Sequence, residues 1–173
     1  SMTAQTRLSV YLFALAVGVR ILFHQYTGFI ADDAFITFRY AHNLALGNGF
    51  VYNLGERVMG TTTPLFTFLL GLVGSTGLDI PRAALAISLL ASGFTAIVIY
   101  RLALTLRFTH WAVVPAVLFA LWPRSVVAES CGMEAALFGL FVTGAVYFHT
   151  VRLPIYALAM GTLATLTRPE GLA

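Results

Sequence analysis

Asp32 and Asp33 stand side by side just after the first long apolar stretch of a chain that otherwise nearly avoids charge. A helix cap needs one short polar side chain, so capping alone does not call for two like charges beside a bilayer, where each is costly to desolvate. Successive helical residues point about 100° apart, which lets one aspartate cap while the other projects into a cleft. A carboxylate at a membrane surface suits a general base taking a proton from a bound hydroxyl, and it equally suits holding a cation. Two later polar interruptions offer partners: Ser130-Cys131-Gly132-Met133-Glu134 and Arg168-Pro169-Glu170-Gly171. Glu134 opens a helix, where the dipole favours its charge. Arg168 suits a bidentate grip on phosphate or a pairing with a nearby acid. Tyr40, His42, Tyr52 and Asn53 suit contact with a sugar, or the anchoring of an interfacial helix. His42 with the two aspartates is a candidate set for a divalent metal, although no metal-spacing motif accompanies it.

The elements that position these groups follow from composition. Hydrophobic residues make up 59% of the chain and charged residues 10%, and the mean hydropathy is +0.87. These values predict an integral membrane protein with an all-α, polytopic architecture. The formal charge of +3 does not imply nucleic acid, because the arginines are scattered singly with no basic run. The one cysteine, Cys131, excludes an internal disulfide.

A spanning helix needs roughly 20 apolar residues. Residues 8–30 form the first expected span, and 31–80 an outer loop carrying interfacial helices. Further spans are expected at 81–106, 110–127, 135–151 and 154–167, the third broken by Pro115 and Pro123. The loop is expected to hold an amphipathic helix from Asp32, ended by Gly47-Asn48-Gly49. A second short helix follows from Pro64; at about eleven residues it is too short to cross. Arg20, roughly 18 Å along the first helix from Leu8, is expected to snorkel outward, with a buried pairing to one of the acids as the alternative. Counting crossings places Asp32, Asp33, Glu56, Asp79, Glu129, Glu134 and Glu170 on one face. Arg7 before the first span puts the amino terminus in the cytoplasm and the acidic face outside. The chain is expected to be a single membrane unit.

The order of these pieces resembles the GT-C class of membrane glycosyltransferases, and the loop is most similar to the terminal arabinofuranosyltransferases. The residues carrying the likeness are Asp32-Asp33-Ala34-Phe35-Ile36-Thr37-Phe38-Arg39-Tyr40-Ala41, Gly47-Asn48-Gly49-Phe50-Val51-Tyr52-Asn53, Gly55-Glu56-Arg57-Val58 and Thr62-Thr63-Pro64-Leu65. The Ser130–Glu134 and Thr167–Gly171 segments extend it. The resemblance implies an inverting transfer of a sugar, arabinofuranose among the choices, from a polyprenyl-phosphate donor to a cell-envelope glycan hydroxyl outside the plasma membrane. It implies an outer-loop aspartate as base, Asp32 before Asp33, and Arg168 steadying the donor phosphate. Arg39, Tyr40, His42, Tyr52, Asn53, Glu56 and Arg57 join Glu134, Arg168 and Glu170 as substrate-binding candidates. No cofactor is assigned beyond the polyprenyl-phosphate sugar as donor substrate, and a divalent metal stays among the alternatives. The greater length of such enzymes implies that this chain is an amino-terminal fragment. The competing readings are a non-catalytic scaffold whose outer loop binds a partner, and a small transporter, for which acids should lie deep within spans.

Overall fold

The computed structural model describes residues 3–56 and 60–169. Arg57 and Glu170 lie outside the described residues. Every regular element among the described residues is helical, as a helical membrane protein requires of backbone that must satisfy its own hydrogen bonds.

Helix α1, Ala4–Thr27, starts where the Thr3 hydroxyl accepts the Thr6 N–H at 3.2 Å. It stops at Gly28, whose φ of 59° returns its own N–H to the His24 carbonyl at 2.7 Å. A left-handed closing residue favours glycine. Helix α2, Asp32–Ala45, and helix α3, Pro64–Gly74, pack against each other in the first loop. Helix α4, Ile80–Thr105, is capped by Asp79, whose carboxylate accepts the Arg82 N–H at 3.1 Å, with Pro81 in its first turn. A 3₁₀ turn at Thr109–Trp111 leads into α5, Val113–Leu121, and α6, Pro123–Ser130. Helices α7, Ala135–Thr150, and α8, Pro154–Thr167, form a hairpin packed through α7 onto α4.

Helices α1 and α4 have 24 and 26 residues, so each rises more than the ~30 Å of a bilayer's hydrocarbon core. The expected third span is bent by 55° between α5 and α6. The break falls at Trp122, whose extended backbone precedes Pro123, because a residue before proline is pushed out of the helical region. Pro115 lies within the first turn of α5, where a missing N–H costs no helical bond. Two helices are thus long and apolar enough to cross a membrane by themselves, and a third if the bent pair is one span. The expected fourth and fifth spans are the shorter apolar helices α7 and α8. Helix α3 has 11 residues, a rise of about 16 Å, well short of a crossing.

Helix α4 is the hub, touching α1, α2, α3, α5, α6 and α7. Most of its buried positions are small, among them Ala84, Ser88, Ala91, Ser92 and Ala96, which lets neighbouring backbones approach closely. At Gly93 an added Cβ would lie 2.4 Å from the Phe13 ring of α1, and that ring already meets Phe94 edge-on at 5.3 Å. Gly93→Ala is therefore expected to cost about 1–3 kcal/mol through overpacking, despite alanine's better helix propensity. An unchanged thermal midpoint in detergent would contradict this.

Arg20 does not snorkel. Its side chain is fully buried among α1, α5 and α6. The guanidinium donates to Glu129 Oε2 at 2.8 Å, to Ser125 Oγ at 2.8 Å, and to the Ala16 and Ala120 carbonyls at 3.0 and 3.3 Å. Ser92 of α4 donates to the same Glu129 oxygen at 2.5 Å. The reason is the bend at Trp122: it exposes carbonyls at the end of α5 and turns Glu129 inward, so a satisfied partner set exists inside the bundle.

Candidate functional site

The end of the bundle carrying the carboxylate pair is built from five chain segments. Ala31, between α1 and α2, donates its N–H to the Cys131 carbonyl at 2.9 Å. Just past Cys131, Gly132 at φ 85° brings its backbone so close to α2 that a Cβ would lie 3.1 Å from Phe38 and 3.5 Å from Ala34. Ala34 and Phe38 enter the same core as Ala136 and Leu137 of α7 and Ala83 and Ala84 of α4. The start of α2, the turn after α6 and the start of α7 are thereby one packed unit. Burial in this unit raises the Cys131 thiol above its ordinary value, with the Met133 backbone opposing it in part.

Asp32 and Asp33 occupy the first turn of α2, and both are exposed. Neither caps the helix: the capping position is Ala31, with no side-chain cap bond. The expectation that one of them caps is corrected by this one-residue offset, which leaves both carboxylates outward while keeping the favourable interaction of a first-turn charge with the helix dipole.

Glu134 sits at the start of α7 without capping it, and only 2% of it is exposed. Its carboxylate instead meets Arg168, with Nε–Oε1 at 3.4 Å. Arg168 leaves α8 on extended backbone, and its guanidinium lies 5.8 Å over the Phe138 ring, a cation–π contact adding to the carboxylate's hold. Of the two alternatives for Arg168, pairing with an acid is what the geometry displays, and the side chain keeps about a third of its surface, 38%, open.

Helix α2 separates two concavities. On one side a groove of about 600 Å³ is lined by Phe35, Phe38, Arg39 and His42, with Leu78, Asp79 and Ile80 opposite. On the other, a pocket of about 330 Å³ is lined by Ile36, Tyr40, Tyr52, Asn53, Glu56 and Gly60. The loop candidates thus divide: Arg39 and His42 belong to the groove, and Tyr40, Tyr52, Asn53 and Glu56 to the pocket. His42 is ten residues along α2 from Asp32, about 15 Å by helical rise, so it cannot share an ion with the pair. Among the described residues no group of three or more His, Cys, Asp or Glu is placed to hold a metal.

With that geometry in view, similarity to known proteins becomes informative. Over 89 residues, half of this chain, it is 37% identical to a terminal beta-(1->2)-arabinofuranosyltransferase of Mycobacterium tuberculosis. Over 69 residues, 39% of the chain, it is 38% identical to the terminal beta-(1->2)-arabinofuranosyltransferase of Corynebacterium glutamicum. The matched regions cover 14% and 10% of those relatives, so the chain spans only a small part of their length. No family model matches the chain, and no solved structure does.

One feature was held only as the second choice in the sequence, and another escaped it. The inward pairing of Arg20 had a signal in Ser88 and Ser92, hydroxyls four residues apart on one face of an otherwise apolar helix. The split of the loop candidates between groove and pocket had one in the register of α2, taken up below.

Proposed function

We propose that this chain forms part of an inverting glycosyltransferase of the GT-C class. It transfers a sugar from a polyprenyl-phosphate donor to a glycan hydroxyl at the outer face of the plasma membrane. Arabinofuranose is the sugar the named relatives suggest. The observation that carries the reading is the assembly of an exposed carboxylate pair and a partly open, carboxylate-held guanidinium on one packed end of the helices, through the Ala31–Cys131 bond and the Glu134–Arg168 pair.

The chemistry fits these roles. An aspartate of the pair accepts the proton of the acceptor hydroxyl as its oxygen bonds to the anomeric carbon of the donor. The bond from that carbon to the phosphate oxygen breaks on the opposite face, and polyprenyl phosphate leaves with the electron pair. Inversion follows from the single displacement. Arg168 stabilises the charge gathering on the phosphate, held in orientation by Glu134 and Phe138.

The test is transfer by the full-length protein in lipid nanodiscs, from polyprenyl-phosphate arabinofuranose to an arabinofuranose oligosaccharide. Arg168→Ala is expected to raise the donor KM about 10- to 100-fold, the range for loss of a charged hydrogen-bonding partner. Arg168→Lys retains charge without the fork and should fall between. Absence of transfer by the wild-type protein contradicts the reading; an unchanged donor KM in Arg168→Ala removes that residue from the site.

A further inference from the structure

The register of α2 adds a division of labour, and it rests on the glycosyltransferase reading. Residues three, seven and ten positions apart share a helix face. Asp32 stands before Phe35, Arg39 and His42 of the groove and also four residues before Ile36 of the pocket, so it lies between the two faces. Asp33 heads the stripe of Ile36 and Tyr40, which borders the pocket.

The two concavities differ in chemistry. The groove combines aromatic and aliphatic walls with the side chains of Arg39 and His42 and, opposite them, Asp79. The pocket carries the Glu56 carboxylate among its described lining residues, which disfavours an anion beside it. What it offers is an exposed aromatic face on Tyr52, with Asn53 and Glu56 side by side at 3.2 Å. A ring face packs against the C–H side of a sugar, while an amide and a carboxylate bond its hydroxyls. Its volume is at the small end of small-molecule sites.

The pocket is also held in shape. Asn43 Nδ2 donates to the Val51 and Tyr52 carbonyls at 2.8 and 2.9 Å, and Arg39 Nε donates to the Tyr52 carbonyl at 3.2 Å. The Tyr40 ring lies 5.2 Å from Phe50 and 5.8 Å from Tyr52. Gly60 closes the rim by donating its N–H to the Tyr40 hydroxyl at 2.8 Å. These bonds fix the backbone carrying Tyr52 independently of its own side chain, so the ring is presented ready-made.

From this we propose that the pocket of Tyr52, Asn53 and Glu56 seats a neutral sugar unit of the acceptor glycan, and that Asp33, on the pocket's face of α2, is the aspartate on the acceptor side. This proposal favours Asp33 over Asp32, the residue ranked first from the sequence.

The test measures binding of a soluble arabinofuranose tetrasaccharide to the full-length protein in nanodiscs by saturation-transfer NMR, alongside acceptor and donor KM. Tyr52→Ala is expected to weaken tetrasaccharide binding and raise the acceptor KM about tenfold, with the donor KM unmoved. Tyr52→Phe, which keeps the ring, restores most of the affinity. Unaltered binding and acceptor KM in Tyr52→Ala, or a shift in donor KM alone, overturns the assignment. Saccharide binding that depends on Tyr52 without any transfer upholds the pocket and removes the enzyme reading. Transfer that ignores Tyr52 does the reverse.

Discussion

Arg20→Leu is expected to destabilise the protein by about 3–5 kcal/mol, because it leaves the Glu129 carboxylate, 7% exposed, without its cationic partner. The Ala120 carbonyl at the helix break also loses a donor, while the Ser92 and Ser125 hydroxyls, which donate to Glu129, offset only part of the loss. Removing both charges should cost less than removing one, since the double replacement Arg20→Leu with Glu129→Leu leaves no buried ion behind. Chemical denaturation in detergent measures both. A single variant within about 0.5 kcal/mol of wild type would mean that Arg20 is not engaged as described. The pair is placed for structure: it ties α1 to the bent segment at α5 and α6, and the Cys131 turn that holds Ala31 begins just past α6. Loss of Arg20 should therefore loosen the carboxylate end without touching it.

How far the sequence revealed these arrangements follows from the range of the forces involved. Helix positions were legible because local signals mark them: Pro64, Pro81, Pro123 and Pro154 each open a helix, and Gly28 and Gly47 follow helix ends. The shortness of α3 was likewise readable, since length alone decides a crossing. For Arg20 the outward reading ranked above the buried pairing because its partner lies 109 residues away and faces inward only after the chain bends at Trp122. No periodicity within α1 encodes that. The pair Asp32 and Asp33 was visible as chemistry, but their role as caps turned on a one-residue offset at Ala31, finer than propensity resolves. Glu134 and Arg168 were each found as isolated polar interruptions. Their contact depends on α7 and α8 folding back as a hairpin, through the turn in which Arg152 takes a φ of 62°.

The second large effect concerns turnover. A positioned base contributes about 10²–10⁴-fold to a proton-transfer step. Replacing the acceptor-side aspartate with asparagine keeps size and hydrogen bonding but cannot accept the proton, so kcat should fall by that factor with little change in acceptor KM. Both aspartates are exposed and outside the packed core, so neither asparagine variant should alter the thermal midpoint by more than a degree or two, keeping the kinetic result free of unfolding. The neighbour's replacement should have the smaller effect on kcat, because it lies between the two faces of α2 and not on the pocket's own.

The most direct measurement is the initial rate of sugar transfer by the full-length protein, compared among wild type, Asp32→Asn and Asp33→Asn at saturating donor. The expected result is a loss of about 10²-fold or more in Asp33→Asn and a smaller loss in Asp32→Asn. Equal rates in all three proteins would contradict the account at its centre, since no proton acceptor would then reside at the carboxylate pair.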